Sequence, residues 1–188
     1  VGAQHRCVNL LKETLSLPTA PFVEDRVLHF VRDFARQRGL RCASDRYGNL
    51  LLTRSKSIPS QGVVIVAHAD HPGFIARRML GPRRLLADWH GGVEAQYFVG
   101  TRVRFHPAKD RPVRGVIREI VAIDRTDTRQ RVQQVLVEIA GEVSAATPGS
   151  WDLPAFRRRG RRIEALGCDD VAGLAAADCL IVIPEDVT

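Results

Sequence analysis

Two places in this sequence set metal-binding or acid–base side chains beside elements able to hold them. The first is His68-Ala69-Asp70, which follows the apolar run Val63-Val64-Ile65-Val66-Ala67. A continuous β-branched run reads as a strand covered on both faces, and ligands usually bind where the strands of an open α/β sheet end. If the strand continues, its two-residue period puts His68 and Asp70 on one side. A metal-bound histidine commonly gives its other ring N–H to a carboxylate that fixes tautomer and orientation, and Asp70 is placed for that task. The second is Asp169-Asp170, just ahead of Val171-Ala172-Gly173 and an alanine-rich stretch. A carboxylate has two oxygens, so it can bridge two cations at the roughly 3.5 to 4 Å separation used by two-metal hydrolases.

Both patterns also have plainer readings. His-x-Asp serves as a polar turn after a core strand, and acids at a helix N-terminus cap it and favour its dipole by about 0.3 to 1 kcal/mol. His71 is within reach of the same strand end, but His71-Pro72-Gly73 is ordinary turn chemistry. His5, His29, His90 and His106 fall in helical or loop-rich contexts with no catalytic pattern around them. The sequence has no H-E-x-x-H, no G-x-x-x-x-G-K and no G-x-S-x-G, so it lacks the signatures of zincins, P-loop nucleotide sites and serine hydrolases.

The elements that must position these residues follow from periodicity. Cys7, Leu10, Leu11, Thr14 and Leu15 recur at helical spacing over residues 4–17, with Pro18 as a stop. A second helix begins near Phe22-Val23-Glu24-Asp25, buries Val27, Phe30, Val31 and Phe34, and ends at Gly39. Residues 40–54 read as a hairpin turning at Asp45-Arg46-Tyr47-Gly48-Asn49. Gly62 to Ala67 reads as a central strand. From about 73 to 161 helical periodicity gives way to short apolar stretches, Arg102 to Phe105, Val113 to Ile117 and Val135 to Ile139, between Gly, Pro and charged turns. That texture predicts a small all-β, barrel-like insert. Beyond Ile163 the α/β pattern returns, with Val171 to Leu180 helical and Leu180 to Ile183 as a further apolar strand.

The bulk numbers bound the class. At 188 residues, 45% hydrophobic and 26% charged, the chain has globular composition and length enough for a sizeable core. Its apolar runs fall far short of the roughly 20 residues of a membrane helix, and residues 1–20 carry no signal-peptide pattern, so a soluble, cytoplasmic protein is expected, with no membrane partner. Cys7, Cys42, Cys168 and Cys179 form no C-x-x-C and read as free thiols. The +7 charge comes almost wholly from arginine, and one run stands out, Arg157-Arg158-Arg159-Gly160-Arg161-Arg162. Such a run suits nucleic acid, but no aromatic residues interleave it as a stacking surface requires. Nucleic acid is therefore not the expected partner.

Five stretches in order carry a resemblance: Leu17-Pro18-Thr19-Ala20-Pro21, Tyr47-Gly48-Asn49-Leu50, Ala67-His68-Ala69-Asp70-His71-Pro72-Gly73-Phe74, Gly149-Ser150-Trp151-Asp152-Leu153-Pro154 and Asp169-Asp170-Val171-Ala172-Gly173. Together they resemble the tetrahedral, deblocking or glutamyl aminopeptidases, a family of dinuclear-metal peptidases. The resemblance implies a three-layer α/β peptidase domain, incomplete on its C-terminal side, formed by residues 1–72 and 162–188. A β insert over 73–161 interrupts it and mediates homo-oligomer contacts, often in a tetrahedral dodecamer. It implies His68 and Asp169 as metal ligands, the latter bridging, and Asp70 as the aspartate that orients His68. Asp170 matches a neighbouring acid whose role stays open. Two divalent ions, zinc or cobalt, would polarise the N-terminal scissile carbonyl of a peptide substrate and acidify a bound water.

The chain departs from the family at Val171, usually arginine, and at Ala69, usually methionine. The family's Glu-Glu pair, a further acidic ligand and a final histidine lie beyond Thr188, and Glu185-Asp186 does not match that glutamate motif. The expectation is a chain that is inactive by itself. Its alternatives are a non-catalytic scaffold or partner subunit of the same fold and, more remotely, a basic nucleic-acid-binding module.

Overall fold

The computed structural model describes residues 3–54, 63–109, 111–124, 131–154 and 156–182. The chain divides into two compact units: Val1–Leu17, Asp25–Ala69 and Ala155–Thr188 form one, and Pro18–Glu24 with Asp70–Pro154 form the other.

In the first unit, helix α1 (Ala3–Leu15) packs on helix α3 (Val171–Val182). Helix α2 (Asp25–Gln37) buries Val27, Val31, Phe34 and Ala35, the i, i+4, i+7, i+8 stripe of an amphipathic helix. Asp25 in its first turn complements the dipole. At its other end Gly39 takes φ 64°, and Leu40 N–H donates to Ala35 C=O at 3.0 Å, closing the helix with a left-handed residue. Strands β1 (Arg41–Ser44) and β2 (Leu50–Thr53) form the expected hairpin. Its turn is tied by Asp45, whose carboxylate accepts from Tyr47 N–H (2.8 Å), Asn49 N–H (2.9 Å) and Asn49 Nδ2 (2.7 Å). The Asn49 side chain, with help from those backbone N–H groups, holds the Asp45 carboxyl below its ordinary pKa.

Three expectations for this unit are corrected. Val63–Ala67 lies in no regular element, and Val63, Val64, Ile65 and Val66 are 91%, 78%, 53% and 84% exposed. A strand exists only through the ladder it makes with a neighbour, and among the described residues none pairs with this run. Leu180 to Val182 continue α3 rather than forming a strand, because the run 174–179 before them holds no Gly or Pro; Ile183 lies outside the described residues. The cysteines are not all free: Cys7 on α1 and Cys179 on α3 are disulfide-bonded with Cα atoms 5.6 Å apart, while Cys42 and Cys168 are free thiols. Packing of the two helices places that pair within the usual disulfide span.

The second unit is a closed six-stranded barrel, which agrees with the barrel-like texture of the sequence. Its strands are β3 (Gly73–Gly81), β4 (Arg84–His90), β5 (Arg102–Phe105), β6 (Val113–Asp124), β7 (Arg131–Ile139) and β8 (Pro148–Trp151), in the order β3-β4-β7-β6-β5-β8. Alternate residues point inward: on β7 Val132, Val135, Val137 and Ile139 are buried, with a register shift near Ala122/Ile123 of β6. Rings fill the interior. Phe74 stands 4.6 Å from Trp89 and 4.9 Å from Trp151, and Phe98 lies 5.2 Å from both tryptophans, mostly edge to face.

Two glycines are needed by this packing. Gly149 lies opposite Phe105, and a Cβ there would meet the Phe105 ring at 2.7 Å. At Gly73 a Cβ would meet Ala20 Cβ and Gly149 O, both at 2.9 Å. The Pro18–Glu24 segment thus lies directly on the barrel, with Ala20 fully buried and Phe22 edge-on to His90 at 5.3 Å. The basic run after the barrel forms a separate exposed hairpin, β9 (Arg157–Arg159) with β10 (Arg162–Glu164), in the first unit.

Forcing a methyl group against the Phe105 ring overpacks the barrel. Gly149→Ala is expected to lower unfolding free energy by about 1–3 kcal/mol, read as a drop in thermal midpoint. Gly81→Ala, where a Cβ meets nothing within 4 Å, should leave the midpoint nearly unchanged.

Candidate metal centre

His68 is exposed in the extended segment that runs from Val63 toward β3, and Asp70 and His71 after it are partly buried. With no strand there, the two-residue period expected to align His68 with Asp70 has no ladder to enforce it. The boundary between the compact units falls between Ala69 and Asp70.

Asp169 and Asp170 end the turn before α3, and the peptide joining them is cis. Asp170, partly buried, takes the capping position. Its C=O accepts Leu174 N–H at 3.2 Å, and its carboxylate sits so close over Gly173 that any Cβ there would collide with Oδ1. Asp169 is one residue further out and exposed. Gly173, read from sequence only as part of a motif, is therefore a spacer that lets the Asp170 carboxylate lie on the first helical turn. A glycine three residues after an acid at a helix start is the signal that could have revealed this.

The donor types suit a divalent transition metal, since His68 offers an imidazole nitrogen and Asp169 a carboxylate. Among the described residues, however, no three His, Cys, Asp or Glu side chains gather as a group able to hold a metal ion. Two protein donors fall short of the three that a catalytic zinc site uses. The described residues do not make a complete centre, and no catalytic step can be drawn through one.

Other histidines have structural partners. His106 Nε2 lies 3.1 Å from Ser150 Oγ, His29 Nδ1 lies 2.6 Å from Asp25 C=O, and His90 meets Phe22 edge to face. One acid escaped notice in the sequence because it sits in the middle of the alanine-rich helix. Asp178 on α3 is 5% exposed, and its Oδ2 has no hydrogen-bond partner among the described residues. Burial pushes its carboxyl up to about 7, with the Arg38 charge pulling weakly the other way.

No family model and no curated protein matches the sequence. Solved structures do. An aminopeptidase from the archaeon Desulfurococcus kamchatkensis superposes with a TM-score of 0.69 at 20% identity, over 94% of this chain and 52% of its own. The TET1 peptidase of Pyrococcus horikoshii, which can assemble into a tetrahedron or a large octahedral shell, gives 0.70 at 17% identity over 92% and 54%. A TET aminopeptidase from a marine-sediment thaumarchaeote gives 0.60 at 18% identity over 83% and 47%. The chain has the fold of part of a TET aminopeptidase. It spans about half the length of these enzymes, and its described residues include a closed barrel and three α-helices. Among the described residues no helix is long and apolar enough to cross a membrane.

Because the folded-state pKa of Asp178 is raised from 3.8 to about 7, folding favours its protonated form. Its stabilising effect is complete below pH 3.8 and is lost as pH rises through about 7. The thermal midpoint of the wild-type protein relative to Asp178→Asn is expected to fall between those limits and level off above them. A difference that stays flat with pH would show that the carboxyl is not held protonated.

Proposed function

We propose that this chain is the amino-terminal part of a metal-dependent aminopeptidase that removes N-terminal residues from peptides. The observation that carries the reading is the likeness to aminopeptidases over more than nine-tenths of the chain, with TM-scores of 0.69 and 0.70 for two of them. In this reading His68 and Asp169 are two of the metal ligands, and Asp70 orients the His68 imidazole. The assignment is supported by the donor chemistry of the pair and by the exposure of Asp169 in the turn before α3. Two divalent ions, zinc or cobalt, would supply Lewis acidity and a water of near-neutral pKa. The remaining ligands and the general base would come from sequence outside this chain, so the chain alone should be inactive.

The same reading includes a three-layer α/β domain completed by residues outside this chain. It assigns the barrel to contacts between subunits, following the tetrahedron and dodecamer formed by the P. horikoshii peptidase. Cytoplasmic residence belongs to the proposal too, although the Cys7–Cys179 bond is a linkage more usual in oxidising compartments.

The decisive comparison is between this chain and a longer protein that continues past Thr188, each assayed for bound zinc or cobalt and for release of N-terminal residues from a peptide. The longer protein should bind metal stoichiometrically and cleave, and the 188-residue chain should do neither. In the longer protein His68→Ala and Asp169→Ala should each abolish activity, and Asp70→Asn should cost about 10- to 100-fold in metal affinity or rate. Full activity after either ligand substitution would end the assignment. A longer protein that binds no metal would point instead to a scaffold subunit.

A further inference from the structure

The outer wall of the barrel bears a cleft of about 430 Å³ that the aminopeptidase reading leaves unused. Four arginines line it: Arg83 in the turn between β3 and β4, Arg102 on β5, and Arg114 and Arg118 on β6. Facing them are two carboxylates, Glu138 on β7 and Asp152 just past β8. Both carboxylates are already engaged. Glu138 accepts from Arg118 Nε at 2.8 Å. Asp152 lies 3.4 Å from Arg114 Nε and 3.6 Å from Arg104 Nη1. Arg104 and Arg114 stand directly opposite each other across β5 and β6, a like-charge pairing that a sheet tolerates poorly, and Asp152 is the counter-ion that relieves it.

Arg83 and Arg102 make no ion pair among the described residues, so the cleft keeps an excess of two positive charges. Their backbones are fixed by the barrel. Ile139 N–H donates to Arg83 C=O at 3.0 Å, and Asp152 N–H donates to Arg102 C=O at 2.9 Å. Each guanidinium presents a planar fork of donors that matches phosphate or carboxylate oxygens two at a time. Arg102 is carried on a strand and Arg83 on the tight β3–β4 turn, so neither backbone rests on a long loop.

We propose that this cleft binds a compact dianion carrying phosphoryl or carboxylate groups, and that Arg83 and Arg102 are the cations that meet it. A neutral ligand would leave both guanidiniums uncompensated, and a cation would be repelled. The site is open to solvent, so binding weakens as salt screens it.

Hydrogen phosphate and malonate, both dianions, are the two probes, titrated into the full chain by calorimetry and by thermal shift, with sodium chloride of equal ionic strength as the control. At least one of them should bind and should raise the thermal midpoint above the chloride value. The tighter of the two identifies the phosphoryl or the carboxylate source. The double variant Arg83→Gln/Arg102→Gln should weaken that binding by about tenfold or more, since each charge-assisted pair is worth roughly that factor. Val116→Glu, which sets a third carboxylate in the cleft lining, is an independent variant expected to weaken it as well should the first fold poorly. Arg157→Gln/Arg159→Gln, on the exposed β9–β10 hairpin, should leave it unchanged. Three results overturn the proposal: no response to either anion beyond chloride, wild-type binding by the cleft variants, or an equal loss in the hairpin variant, which would mean that only the overall charge mattered.

Discussion

A small barrel can close only if its interior is filled, and here the filling is a set of aromatic rings packed edge to face. Phe74, Trp89, Phe98 and Trp151 sit within about one ring width of each other, and Phe105 completes the layer by pressing on the bare Cα of Gly149. Much of the second unit follows from that contact. Strand β8 is only four residues long, Pro148–Trp151, yet it bridges β3 and β5 because Gly149 lets it lie flush against the Phe105 side chain while Trp151 turns into the core. Without it the sheet would have two open edges, a standing invitation to pair with other chains.

How much of this could be read from the residues depended on whether a signal was local. The Asp45 turn was legible because a single side chain makes its hydrogen bonds within four residues. The stripe on α2 was legible for the same reason, since 3.6-residue periodicity is a property of one segment. Strands β3, β4 and β8 were not picked out individually. Their inward residues include Ala76, Ala87 and Gly149, small groups of which the last lies against the Phe105 ring, and nothing nearby in sequence announces them. The Cys7–Cys179 bond joins residues 172 apart, a pairing that spacing alone cannot suggest.

Val63–Ala67 is the instructive failure. Its composition says "covered on both faces", and the described residues leave it bare. Composition records what a segment can pair with, whereas a strand also requires a neighbour. The candidate centre shares this dependence. His68 follows that run, and the strand meant to aim its imidazole is missing. Asp169 is better determined, because α3 and its first turn place it whatever else is present. One candidate residue is thus positioned by local structure, and the other is not.

The contact between Gly73 and Ala20 bears on how the barrel can be handled as a module. All six barrel strands fall between Gly73 and Trp151, which invites treating that stretch as portable. Yet Ala20 is wholly buried against the first barrel residue, more than fifty positions downstream of it in the chain. The barrel is therefore stitched from two separated lengths of polypeptide. Excision or grafting of residues 73–154 would leave behind its own strap and bare a patch at Gly73. Any transplant has to carry Pro18–Glu24 along, joined by a new linker or by permuting the termini.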